Sequence, residues 1–410
     1  MLSRAEAKRK IKEITDAKKP IKTGITLPIK KGAMFDVYKI PLNLLVPNIL
    51  NDRITWKIRE YEAENGRNLD IESDDDVQYL YDIILKEHPA ENERTKIDLA
   101  KNGQQVDGVI TNEGIIIDGN RRATLLRVLF NGEADKYGQN VEDFRYFNTI
   151  VLPEEIDAKE IMALETMLQI GSDEKVGYNR ICLYVKVDNL LKAGYTHTQI
   201  KQYMGLKYEK EVSEMQATFD LMLEYLSAIG KPNHFTLLDG LEDQFLNVRK
   251  VFKNLDNNTY NAEWDYQPGD VADFKMICYD YMRAKFEGKK FREILVGRPN
   301  KTDGVFIEKS VWDDFLEHHN DILNANSPSS EKDWQFLGKK GGKFDQNLND
   351  AVKKLSSVLT DKNLSRLIME VRVKVDRIEA LMDGMDEVSE EDLNNLKDLS
   401  KSIYKITAKY

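Results

Sequence analysis

The first third of the chain mixes strand-like and helix-like patterning. Val37-Tyr38-Lys39-Ile40-Pro41 predicts a strand that turns at Val46-Pro47-Asn48, where Pro and Asn redirect the backbone. Val77, Leu80, Tyr81 and Ile84 recur at helical spacing and predict a helix from about Asp74 to Lys86. Gly108-Val109-Ile110-Thr111 and Gly114-Ile115-Ile116-Ile117, joined by Asn112-Glu113, predict a hairpin. Its second strand runs into Asp118-Gly119-Asn120, a cap-and-turn sequence. Ala123, Leu126, Leu129 and Phe130 then share one face of a helix over Arg121 to Phe130. An aromatic and β-branched run at 144–152 predicts the strand that closes a small mixed sheet before Pro153.

From Asp157 onward the pattern is helical, through 157–230, 241–255, 271–288 and 310–325, with Ser327-Pro328-Ser329-Ser330 and Gly341-Gly342 as plausible linkers. Near the C-terminus Leu348, Val352, Leu355 and Leu359 are followed by Leu364, Ile368, Val371, Val375, Ile378 and Met382, and Ser389 to Asp392 forms a capping box. That spacing fits either an internal helical bundle or an oligomerisation surface, the latter implying a homodimer. The expected class is α+β: a small mixed sheet with helices, then a mostly helical C-terminal half. The expected organisation is a basic arm (1–34), a sheet domain (35–156), and a helix-turn-helix-like domain (157–230). A helical domain (231–340) and C-terminal helices (341–410) follow.

At 410 residues the chain has room for two or three domains. With 41% apolar and 32% charged residues it reads as globular rather than disordered. No apolar run approaches the roughly 20 residues of a membrane span, and no export signal opens the chain, so a cytoplasmic protein without a membrane partner is expected. Cys182 and Cys278 are too few for a disulfide scaffold or a structural zinc site. Residues 1–31 hold ten Lys or Arg, among them Arg4, Lys8, Arg9 and Lys10, against three acids, a balance of +7; the net −10 of the whole leaves −17 for the rest. Such a segment is either a phosphate-neutralising arm for DNA or a solvated tail.

The stretch with the most chemistry is Ile117-Asp118-Gly119-Asn120-Arg121-Arg122. A Gly that ends a strand and opens a helix with two Arg in its first turn gathers backbone N–H groups and guanidinium forks at one point, which suits a phosphate. The alternative is a tight turn with both arginines in solvent.

These segments resemble the N-terminal domain of ParB partition proteins, whose fold is shared with sulfiredoxin. The likeness rests on Pro47-Asn48 followed by Asn51-Asp52-Arg53, on Leu99-Ala100 through Gly103-Gln104-Gln105 to Thr111, and on Gly119-Asn120-Arg121-Arg122. A fourth element matches in part at Ala163 to Gln169, and the likeness covers roughly residues 35–230 with an insertion near 54–75. It implies a nucleoside triphosphate (CTP or ATP) with Mg²⁺, held by Arg53, Gly103, Gln104, Gln105, Gly119, Asn120, Arg121, Arg122 and Thr124. Thr166 and Gln169 stand where the family's fourth motif has Asn and Arg, so CTP specificity does not transfer. No cysteine lies near Asn120, which argues against sulfiredoxin's sulfinic acid chemistry. For a hydrolytic or phosphoryl-transfer role, Asn51, Asp118 and Glu165 are the candidate catalytic residues, with Glu165 also the candidate metal ligand.

The likeness extends to a helix-turn-helix at Tyr195 to Phe219, whose base-facing candidates are Ser213 and Gln216. Residues 195–226 carry three Lys against five acids, which suits a purely structural helical pair better than a reading head. His318 and His319 read as surface residues, and Trp264, Tyr266, Tyr279, Tyr281 and Phe286 as helical core rather than a base-stacking patch. The expected function is nucleotide-gated association with DNA, the N-terminal segment supplying DNA affinity. A ParB-fold nucleotide hydrolase, phosphotransferase or nuclease and a non-catalytic assembly protein are the alternatives.

Overall fold

A computed structural model describes residues 2–29, 33–51, 53–170, 180–260, 262–296, 304–385 and 387–409. Lys30, Lys31, Asp52 and the part of the predicted helical run at 171–179 lie outside the described residues. The chain divides into two compact units, Met1–Thr259 and Tyr260–Tyr410.

The first unit opens with α1 (Arg4–Asp16), started by a reciprocal Ser3–Glu6 capping box. There follow β1 (Lys22–Thr26), β2 (Met34–Pro41), β3 (Val46–Pro47), α2 (Thr55–Asn65), α3 (Asp74–Lys86) and α4 (Pro89–Asn102). β4 (Gly108–Ile110), β5 (Ile115–Asp118), α5 (Asn120–Phe130) and β6 (Tyr146–Val151) complete the sheet domain. The expected helix at 74–86 forms with those bounds: Ser73 Oγ accepts from Asp76 N, and three acids in the first turn with Lys86 in the last complement the helix dipole.

The six strands lie in the order β1-β2-β6-β4-β5-β3. β2 pairs antiparallel with β1 and β6, β4 pairs antiparallel with β5, and the β4–β6 and β3–β5 pairs are parallel. Period-two alternation sends Ile110, Ile116 and Phe147 to one face, against Ala7 and Ile11 of α1, Leu99 of α4 and Leu126 of α5. Val109 and Ile117 point to the other face, toward Leu164.

The N-terminal segment is therefore no arm. Ala7 and Ile11 are core residues, Arg4 is buried, and β1 is an edge strand of the sheet. Sequence periodicity missed α1 because only small or isolated apolar residues mark its inner face among lysines. It also missed α2, which lies in the supposed insertion and packs Ile58 against Leu80, Ile83 and Ile84 of α3.

Helices α6 (Ala158–Gln169), α7 (Arg180–Lys192), α8 (His197–Tyr203), α9 (Glu209–Ala228) and α10 (Glu242–Asp256) finish the unit. Thr196 and Gln199 form the capping box that starts α8, and Gly205 at φ +64° makes the turn toward α9. Ile200, Met204 and Val212 join Val187 and Leu190 of α7 in one small core.

The second unit comprises α11 (Pro268–Arg283), α12 (Gly288–Leu295), α13 (Lys309–Asn326), α14 (Glu331–Gly338), α15 (Lys343–Met382) and α16 (Glu390–Thr407). Its core is aromatic: Phe274 and Phe306 stack at 4.5 Å, Trp312 packs edge-on to both, and Tyr281 stacks on Phe344. His319 belongs to this core, correcting its surface assignment. Its Nε2 lies 2.9 Å from Asp280 Oδ2, and Tyr281 and Phe344 flank its ring. The Ser327–Ser330 and Gly341-Gly342 segments are the α13–α14 and α14–α15 turns rather than domain linkers. The first half of α15 is anchored by Phe344, Leu348, Ala351 and Leu355; beyond residue 355 it buries none, and neither does α16. Among the described residues no helix is long and apolar enough to cross a membrane.

Candidate phosphate-binding cleft

A cleft of about 670 Å³ opens where β5 hands over to α5. The handover is made by Gly119, whose φ of +94° lies in the left-handed region that L side chains rarely adopt. A Cβ there would sit 2.7 Å from Phe147 Cζ and 3.2 Å from Arg122 Nη2, so both conformation and space demand glycine. As N-cap, Gly119 offers no side chain to the first-turn N–H groups of α5, and the positive end of that helix faces the cleft.

Three arginines line this space: Arg53, Arg121 and Arg122. Arg122 is held in place, its Nη2 donating to Asp118 Oδ2 at 2.8 Å and to the Asp107 carbonyl at 3.4 Å. Its Nε is buried without a hydrogen-bond partner. Asn51 positions Arg53, because its Oδ1 accepts from Arg53 N at 3.1 Å in an Asx turn and its carbonyl accepts from Thr55 Oγ1.

The carboxylates lining the cleft are neutralised by cations. Asp118 pairs with Arg122, Asp107 with Lys22 at 2.8 Å, and Glu87 with Lys57. Among the described lining residues, Arg53, Arg121 and Arg122 accompany these three carboxylates. Ile25, Leu27, Val109, Ile150 and Leu168 form an apolar wall. The combination suits a ligand with an anionic end and a flat apolar body.

Other sequence candidates lie elsewhere. Glu165 is beneath the cleft, fully buried and not part of its lining. Its Oε1 accepts from Asn48 Nδ2 at 3.1 Å and Gln169 Nε2 at 3.2 Å, and its Oε2 is 3.4 Å from Lys186 Nζ, itself buried. Those contacts take up its carboxylate, so in this structure the candidate catalytic residue and metal ligand does not face the cleft. Asn120 ties the same floor together: its Oδ1 accepts from Asn48 N, and its Nδ2 donates to the Ile116 carbonyl. Thr124 is buried behind it and donates to the Asn120 carbonyl, so no hydroxyl reaches the cleft from there.

Gly103 and Gln104 line a separate cleft of about 250 Å³ beside Lys39 and Asn148. Gln104 splints its loop to β6 by donating to the Asn148 carbonyl and accepting from Asn148 N, while Gln105 donates to the Asn102 carbonyl. The structure therefore does not bring the Gly103-Gln104-Gln105 segment to the arginines; Asp107 and Gly108, a few residues on, line that cleft instead. Of the DNA-contact candidates, Arg4 is spent internally on the Leu44 and Glu113 carbonyls, and Lys8 pairs with Glu154 at 2.7 Å. Arg9 is exposed, Lys10 half-buried, Ser213 donates to the Lys210 carbonyl, and Gln216 is half-buried on α9.

Sequence reasoning missed Glu87, Thr95 and Asp107 in the lining and Lys186 in the floor. Lys186 did leave a signal: it interrupts the apolar run Ile181 to Val187, and a lone cation at a buried helical position requires an anionic partner. Compared with known proteins, the chain matches no family model, no curated protein and no solved structure.

Proposed function

We propose that the cleft binds a nucleoside triphosphate, its phosphates at the α5 N-terminus between Arg53, Arg121 and Arg122 and its base against the apolar wall. The observation that carries this reading is the Gly119 handover, which turns an uncapped helix N-terminus and the arginines toward one cavity. The likeness of Gly119-Asn120-Arg121-Arg122 to the ParB phosphate motif supports the same ligand class. Among the described residues the cleft offers no protein-held Mg²⁺ site. Glu165 is buried in its network, Asp118 is paired with Arg122, and among the described residues no three His, Cys, Asp or Glu side chains gather to hold an ion. A cation would be held chiefly by the nucleotide's phosphates.

A thermal-shift panel of ATP, CTP, GTP and UTP, each with and without Mg²⁺, tests the reading. A ligand at 100 times its Kd stabilises by about 2.7 kcal/mol, which a melting curve resolves. Arg121→Ala and Arg122→Ala should each weaken the stabilising nucleotide by roughly tenfold to a hundredfold, the worth of a charge-assisted hydrogen bond. If no nucleotide shifts the wild type, or the variants respond as it does, the reading fails.

Nucleotide hydrolysis is a second reading, favoured by Asn51 and Asp118 in the same cleft; release of inorganic phosphate measures it. Gating of DNA association has less support, since Arg4 and Lys8 are engaged within the fold.

A further inference from the structure

The distal half of α15 carries an unsatisfied apolar seam. Leu364, Ile368, Val371, Val375, Ile378 and Met382 follow one another at intervals of four, three, four, three and four residues, the repeat of a coiled coil. Leu364 is 58% exposed and Ile368 60%, while Ile378 and Met382 are half-buried. α16 carries a second seam, Leu396, Leu399, Ile403 and Ile406, and buries none of its residues. An exposed apolar stripe on a helix of 40 residues gives up the burial that normally holds such a helix in water.

We propose that this segment pairs with the same segment of a second copy of the chain as a parallel two-stranded coiled coil, the α16 seam extending the buried surface. In the heptad that the spacing defines, Ile368, Val375 and Met382 take the a positions and Leu364, Val371 and Ile378 the d positions. β-Branched Ile368 and Val375 at a with Leu364 at d favour two strands, against the lean of Val371 and Ile378 at d toward higher states. Lys374 then falls at g and Glu379 at the e position five residues on, so that each Lys374 faces the Glu379 of the second copy, twice by symmetry. The preceding g–e pair, Leu367 with Arg372, brings no like charges together. Ten seam side chains per copy, at roughly 60 to 120 Å² each, bracket the ~800 Å² per partner of a standard interface. The segment is thus complementary to itself in pattern, charge and size.

Sedimentation equilibrium of the full chain should give twice the chain mass. Ile368→Asp with Val375→Asp should give the single-chain mass, with the near-ultraviolet circular dichroism of the aromatic core around Phe274, Trp312 and Tyr281 unchanged as the control for folding. Lys374→Glu and Glu379→Lys should each weaken the dimer by roughly tenfold, and the two together should restore it. A monomeric wild type overturns the proposal and leaves the seam to a different helical partner. A trimer, an unaffected Asp variant or a double charge reversal that fails to restore pairing overturns the parallel two-stranded arrangement.

Discussion

Beneath the cleft the charged residues are inside; along the distal half of α15 and α16 the apolar residues are outside. Both depart from the ordinary partition of a folded chain, in opposite senses. The floor around Glu165 resolves its departure internally, because Lys186, Asn48 and Gln169 all reach the carboxylate and Asn120 braces the loop that carries Asn48. The seam on α15 and α16 meets no such cover among the described residues of its unit. Buried charge that is fully engaged reports a fixed scaffold, whereas an apolar stripe in water reports a partner that has still to arrive.

The sharpest test of the first half of that contrast is Lys186→Met. It removes the Lys186 ammonium from beside the buried Glu165 and should cost about 3–5 kcal/mol in urea unfolding, whereas adding Glu165→Gln should recover much of the loss. Gly108→Ala comes next: its Cβ would meet the Phe147 ring and the Asp118 carbonyl oxygen at 2.9 Å, and the clash should cost about 1–3 kcal/mol. Gly119→Ala should cost about 1–2 kcal/mol for its left-handed backbone and weaken the nucleotide-dependent thermal shift as well.

A smaller effect lies on the acid side. The Arg67 guanidinium on the buried Asp76 carboxylate, helped by Asp70 N, holds its pKa down to about 2 from an ordinary 3.8. A depressed carboxylate stabilises the fold fully above its unfolded pKa, so this contribution is lost as pH falls from about 4 through 2. Arg67→Ala should flatten that limb of the stability–pH curve. The least disturbance is expected on the outside: in diluted protein, Ile368→Asp with Val375→Asp should stay within about 0.5 kcal/mol of wild type. A larger loss would mean that the stripe is core after all.

Wherever local pattern decides structure, the sequence was legible. The helix at 74–86 follows from its apolar spacing, and the β4–β5 hairpin from two β-branched runs. Gly119 could be picked out because a strand-ending glycine before a helix has few other uses. What the sequence hid was burial. Glu165 has the composition of a metal ligand, and only three-dimensional packing sets Lys186 against it. Arg4 counts as one charge among ten in a basic segment, yet its guanidinium is spent on carbonyls 40 and 109 residues away. The α15 spacing fits an internal bundle and an external seam equally, since periodicity says which face is apolar and not what covers it.

The clasp between Asn48 and Asn120 spans 72 residues of chain, and the strands it joins belong to a sheet whose neighbours are seldom consecutive. Closing such loops draws on chain entropy before any contact repays it, whereas the helices of the second unit form mainly from near neighbours. The two units should therefore refold on separate clocks. After dilution from urea, tryptophans 264, 312 and 334 should report the helical unit early, and Trp56 should report the sheet unit late.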